Sequence, residues 1–281
     1  MVGLLALAPA FAAGADPGSL ALSVFGLVLA FRSLQKVGGA LATFSSAALS
    51  FRQIKPLFDA AEVTEPLAPE QAEATTRGET VLEARDLVYR HQGRAEPAVR
   101  GASLRLREGD RVLLRGATGS GKSTFGALLC GLRAPDSGLL WLRRLDRRTL
   151  GAEGWRRRVA CAPQFHENHV LTGTFAFNLL MGRGWPPTPD EAKEAEQICR
   201  ELDLGPLLQR MPAGILQSIG ETGWQLSHGE KSRLFIARAL LQRSEIVLLD
   251  ESFAALDPMT MGRALKCVLG RARTLVVIAH P

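Results

Sequence analysis

The stretch Gly116-Ala117-Thr118-Gly119-Ser120-Gly121-Lys122-Ser123-Thr124 fits G-x-x-x-x-G-K-[ST] at every fixed position. The chemistry of that spacing is phosphate binding. Glycines let a loop turn successive backbone N–H groups inward on a polyphosphate, and the helix that follows adds the partial positive charge of its N-terminus. In such a loop the lysine, here Lys122, reaches the β- and γ-phosphates and the hydroxyl, here Ser123, reaches Mg²⁺. The flanks suit it, with an apolar strand at Arg111-Val112-Leu113-Leu114-Arg115 before the loop and a helical run at Phe125-Gly126-Ala127-Leu128-Leu129-Cys130 after it. Further on, Ile246-Val247-Leu248-Leu249-Asp250-Glu251 is a continuous apolar run closed by two carboxylates. That is the pattern of a buried parallel strand whose C-terminal end carries chemistry, and after a phosphate loop the pair suits Mg²⁺ binding and water activation.

A third cluster lies between them. Leu226-Ser227-His228-Gly229-Glu230 precedes a helical pattern over residues 231–241. Read by itself, Ser227 with Glu230 is a capping box, S-x-x-E, which starts a helix and leaves N–H groups facing an open end. In this order the motifs resemble the nucleotide-binding domain of an ATP-binding cassette (ABC) protein, and the resemblance covers residues from about 80 to 281. It implies ATP and Mg²⁺ as cofactors and a role for each matching residue. Tyr89 stands where the family's adenine-stacking aromatic does, and Gln164 where its glutamine senses Mg²⁺ and the γ-phosphate. Ser227 and Gly229 match the signature that touches ATP held by a partner subunit. Asp250 positions Mg²⁺, Glu251 polarises the attacking water, Asp257 lies in the loop that crosses the dimer interface, and His280 matches the switch histidine.

The elements that must position these groups follow. Apolar strands alternating with helices imply an α/β fold, a P-loop NTPase of the ABC type with a mainly parallel sheet. Residues 101–109 belong to an antiparallel edge, and residues 174–212 to a helical subdomain that presents the signature. Thr172-Gly173-Thr174-Phe175-Ala176-Phe177-Asn178 and Ile219-Gly220-Glu221-Thr222-Gly223 resemble segments of the exporter branch.

Upstream the composition changes. Residues 1–58 hold one acidic side chain, Asp16, and two apolar runs, 2–13 and 20–31. Neither run reaches the roughly 20 residues that span a bilayer. The second continues as a helical pattern through Leu34, Val37, Leu41, Phe44 and Leu49 to Phe51. A helix over 19–58 is roughly 60 Å long, so its far half projects from the membrane. That half carries Arg32, Lys36, Arg52 and Lys55, and the positive-inside bias places it in the cytoplasm. Residues 1–58 thus read as the end of a transmembrane domain, 59–79, with Pro66 and Pro69, as a linker, and 80–281 as the nucleotide-binding domain. A signal peptide or a surface-lying amphipathic helix is the bland reading of the N-terminus. The first lacks a basic n-region, and the second lacks a polar face over 20–31.

The formal charge of +6 raises nucleic acid as a partner. The arginines at 143, 144, 147, 148 and 156–158 lack interleaved aromatics, which favours solvated surface, acidic lipid heads or membrane-domain loops instead. Four cysteines without metal spacing read as reduced, buried thiols. His228 in place of the family's second signature glycine, and Phe253 and Ala254 after Glu251, depart from the pattern. The resemblance implies ATP hydrolysis coupled to export of an unspecified substrate by two such subunits, identical or different, in a cell membrane. A soluble ABC ATPase and an importer motor are the alternatives. Both ends read as cut short, with more membrane helices before Met1 and a further strand and helix after Pro281.

Overall fold

The computed structural model describes residues 17–61, 78–164 and 168–279. It divides into two units, Met1–Thr64 and Glu65–Pro281. In the first, helix α1 runs over Pro17–Ala61, 45 residues, with a proline in its first turn where no N–H is missed. Leu22, Phe25, Phe31, Leu34 and Phe44 stand exposed along it. Its stretch Val24–Arg52 is long and apolar enough to cross a membrane. At a rise of about 1.5 Å per residue the whole helix is about 68 Å long, roughly twice a bilayer's hydrocarbon core. The hydroxyls of Ser33, Thr43 and Ser45 donate to the carbonyls of Leu29, Gly39 and Leu41, each at 2.9 Å, which satisfies them without water. The expected run over 2–13 lies outside the described residues, as does most of the linker.

The second unit begins with β1 (Thr80–Tyr89), β2 (Val99–Arg107), β3 (Arg111–Arg115), α2 (Lys122–Leu129), β4 (Ser137–Leu142), β5 (Leu145–Asp146), α3 (Arg147–Arg158) and β6 (Val159–Ala162). It continues with β7 (Gly173–Thr174), α4 (Phe175–Leu180), α5 (Pro189–Glu201), α6 (Gly205–Arg210), a 3₁₀ turn at Gly214–Leu216 and β8 (Ser218–Ile219). Last come α7 (His228–Leu241), β9 (Ile246–Asp250), α8 (Pro258–Arg271) and β10 (Thr274–Ala279). The strands form an antiparallel sheet β2-β1-β4-β5, a parallel sheet β3-β10-β9-β6 and a small pair β7-β8. As expected, residues 101–109 fall largely on the antiparallel sheet and 174–212 are mostly helical.

The inner strands of the parallel sheet are covered on both faces and read as unbroken apolar runs rather than alternating ones; all five residues of β9 are buried, whereas the edge strand β3 leaves Leu113 exposed. Ile246, Leu248, Val276 and Ile278 face one core, shared with Leu82, Leu106 and Phe125. Val247, Leu249 and Leu275 face the other, shared with Phe175, Leu179, Ile198 and Leu234. Trp155 of α3 is 1% exposed and donates its indole N–H to the Leu129 carbonyl at 3.0 Å, against the last turn of α2. The arginines read as solvated clusters are in part an ion-pair network: Arg143 pairs with Glu79, Glu108 and Glu245, and Arg158 with Glu245.

Candidate functional site

In the parallel sheet, register brings the C-terminal ends of the strands together. Arg115 pairs with Ala279, Asp250 with Ile278 and Ala162 with Leu249. The loop 116–121, Glu251 and Gln164 each follow one of these ends, the place where α/β sheets bind ligands.

The loop turns on two glycines with positive φ, Gly119 at 77° and Gly121 at 87°. At Gly121 the reason is also contact. A Cβ there would lie 2.2 Å from the Ala98 carbonyl oxygen, so the loop could not lie against residues 97–98 with any side chain. The N-terminus of α2 has no side-chain cap and no acidic residue in its first turn. Its first N–H groups therefore keep their affinity for an anion. Lys122 folds back over its own loop, its Nζ donating to Gly116 O at 2.6 Å and Ala117 O at 2.8 Å.

These groups border a cavity of about 660 Å³ lined by His91, Arg94, Glu96, Pro97, Ala98, Thr118, Gly119, Gly121, Lys122, Ser123, Thr124, Gln164 and Glu251. Of the residues singled out in the sequence, it gathers Thr118, Gly119, Gly121, Lys122, Ser123, Thr124, Gln164 and Glu251. Gly116, Ala117 and Ser120 complete the loop without lining the space. Asp250, 5% exposed, ends β9 immediately before Glu251. Gln164 Nε2 donates to Glu251 Oε2. Glu251 has a φ of 49°, a conformation that costs a non-glycine residue about 1–3 kcal/mol and marks functional turns. Its N–H donates to Ile278 O at 3.0 Å, and its carbonyl accepts from Ala254 N at 3.1 Å.

Tyr89 is not among the lining residues, although the sequence singled it out as the base platform. It is half-buried, its hydroxyl accepting from Arg133 Nη1 at 2.9 Å and its ring near-perpendicular to that of His91 with centroids 5.1 Å apart. His91, two residues on, lines the cavity instead, with Nε2 3.4 Å from Thr124 Oγ1. Nothing in the local pattern separates the two rings. The end of β1 at Tyr89 does, because it leaves His91 in the loop that faces α2.

Ser227 and Gly229 do not border this cavity. Ser227 caps α7, its hydroxyl accepting from Glu230 N at 3.2 Å while its own N–H donates to Glu230 at 2.8 Å. The capping box read from the sequence is therefore complete. Burial pushes the Glu230 carboxyl up, but the Ser227 N–H and hydroxyl and Arg210 outweigh it and hold the group below its ordinary value. Gly229 packs close to the 251–257 turn, where a Cβ would lie 3.3 Å from Ala255 O. Asp257 caps α8 by accepting from Met259 N and Thr260 N at 3.1 Å, and its hydrogen bonds with Thr260 lower its pKa. His280 lies outside the described residues.

Among the described residues no three His, Cys, Asp or Glu side chains cluster as a metal cage. The oxygens of Ser123, Gln164 and Asp250 are hard donors, which fit a Mg²⁺ that arrives with a polyphosphate and keeps most of its ligands from it. The four cysteines are free thiols, and Cys130, Cys199 and Cys267 are buried; burial pushes Cys199 and Cys267 up to about 12.

A family profile described as ABC transporter matches residues 99–254. The chain is 33% identical over 212 residues to a colicin V secretion/processing ATP-binding protein of Escherichia coli, an alignment covering 75% of this chain and 30% of that protein. It is 33% identical over 270 residues to the glutathione/L-cysteine transport system ATP-binding/permease protein CydC of E. coli K12, covering 95% and 45%. A solved bacterial Atm1-family ABC exporter with ATP bound superimposes with a TM-score of 0.67 at 26% identity, over 94% of this chain and 45% of that one. The chain spans less than half the length of these relatives.

Proposed function

The chain belongs to the ABC transporter family, and from that premise we propose that it binds and hydrolyses ATP to drive export of a substrate across a membrane. The observation that carries the reading is the cavity in which Lys122, Ser123, Gln164 and Glu251 meet at the end of the parallel sheet. In it the loop N–H groups and the Lys122 ammonium hold the β- and γ-phosphates. Ser123 and Asp250, with Gln164, would hold the Mg²⁺ that comes with the nucleotide, which would supply neutralisation of the phosphate charge. Gln164 orients the Glu251 carboxylate, which accepts a proton from water. The water oxygen bonds to the γ-phosphorus as the bond to the bridging β–γ oxygen breaks, giving ADP and phosphate. The base of the nucleotide rests against His91, with Tyr89 as the support behind it.

Ser227 and Gly229 stand away from the cavity of their own unit, which supports their service to ATP on a second subunit arranged head to tail. His280 completes the γ-phosphate end by resemblance. Residues 1–58 form the end of a membrane domain, 59–79 a linker and 80–281 the nucleotide-binding domain on the cytoplasmic side. Export rather than import is favoured by the likeness to the Atm1-family exporter over 94% of the chain. The reading is tested by Glu251→Gln, which keeps ATP binding and loses turnover about 10²-fold or more, since an amide cannot take the proton. Phosphate release at the unmutated rate, measured with Mg²⁺ and ATP, would remove Glu251 as the base.

A further inference from the structure

Helix α7 carries an arginine whose donors are spent on another segment of chain. Arg238 Nε donates to Asn178 O at 2.7 Å. Its Nη1 donates to Asn168 Oδ1 at 3.1 Å and His169 O at 3.3 Å. Its Nη2 donates to His169 O and Asn178 Oδ1, both at 3.3 Å. All of these acceptors are neutral amide oxygens, and the guanidinium also lies over the Phe235 ring, 5.3 Å from its centroid. Burial draws the group down to about 10, still far above neutral pH, so a full charge is held here, and among the described residues its hydrogen-bond acceptors are amide dipoles. The hydrogen bonds to residues 168–178 tie that segment to α7 through both its backbone and its amide side chains.

Asn178, fully buried, passes the grip on. Its Nδ2 donates to Leu171 O at 2.8 Å and Thr174 O at 3.2 Å, and its Oδ1 accepts from Leu171 N at 2.9 Å. One arginine and one asparagine thus fasten residues 168–178, which follow Gln164 in the chain, to the helix that opens with Ser227. Asn168, His169 and Val170 share a second cavity, of about 320 Å³, with Lys231 and Phe235 of that helix. The joint therefore lies between two surfaces that flank one space.

We propose that Arg238 is a positioning residue for turnover: it touches neither nucleotide nor reacting water, but makes residues 168–178 and α7 move as one body. The kinetic part rests on the ATPase reading above, whereas the mechanical part does not. The test uses the full chain in detergent, with Arg238→Gln and Arg238→Lys. Lysine keeps the charge but lacks the planar fork that reaches several oxygens together. The glutamine variant is expected to exchange the amide hydrogens of 168–178 about tenfold faster, with residues 116–124 unchanged. Its kcat falls about tenfold or more through misplacement, while KM and the affinity for a fluorescent ATP analogue stay within about twofold. The lysine variant recovers part of both losses.

Unchanged exchange in 168–178 overturns the proposal, and so does a parallel fall of kcat and nucleotide affinity. If the glutamine variant fails to fold, unaltered exchange and kcat in the lysine variant overturn it, and faster exchange with lowered kcat supports it. An unmutated chain without turnover would count against the ATPase reading alone, because the exchange result still decides whether Arg238 holds the joint.

Discussion

In the proposed reading, Lys122 and His91, which line one cavity, divide its work between charge and surface. A charge-assisted contact to phosphate is about twice as strong as a neutral one, while a base stacked on a ring contributes about 1–3 kcal/mol. Lys122→Ala is therefore expected to weaken ATP binding more than His91→Ala, and His91→Ala more than Tyr89→Ala, in a titration followed by calorimetry. Equal losses at His91 and Tyr89 would return the base to the tyrosine. The placement of Lys122, Ser123, Asp250 and Glu251 was legible because their neighbours in sequence are also their neighbours in space: loop, helix start, strand end. Which ring lines the cavity depends on where β1 stops relative to α2, a tertiary distance that no residue spacing carries.

At the scale of elements, local chemistry and burial gave different degrees of legibility. Helix α7 announced itself by Ser227 and Glu230, and β9 by an apolar run that only a doubly covered strand tolerates. Helix α3 did not, because its three terminal arginines draw attention to solvent while Leu150 and Trp155 of the same helix are buried in the core. The cap of α7 makes a prediction of its own. Glu230 is held below its ordinary pKa, so the stability it adds is full above about pH 4.3, the unfolded value, and is lost as the pH falls through its lower folded value. Ser227→Ala removes a cap worth about 0.5 to 2 kcal/mol. Urea titrations should find that cost at pH 7 and a smaller one in acid. A cost independent of pH would show that Glu230 is not coupled to the cap.

At the scale of the molecule, the division into an apolar helix and an α/β unit predicts two separable behaviours. Membranes from cells making the chain should retain it through alkaline extraction, and deletion of residues 17–61 should release the remainder; release of the unmodified chain would argue against insertion of α1. The α/β unit offers an optical consequence. Trp155 is sealed against the far end of the helix whose first turn holds the phosphate loop, and its indole N–H is fixed on Leu129. With Trp141, Trp185 and Trp224 replaced by Phe, its emission should report ATP arriving at the other end of α2 and stay silent in Lys122→Ala. A chain of this kind needs no attached dye: its own fluorescence becomes a clock for occupancy, readable in a stopped-flow cuvette before any phosphate has been released.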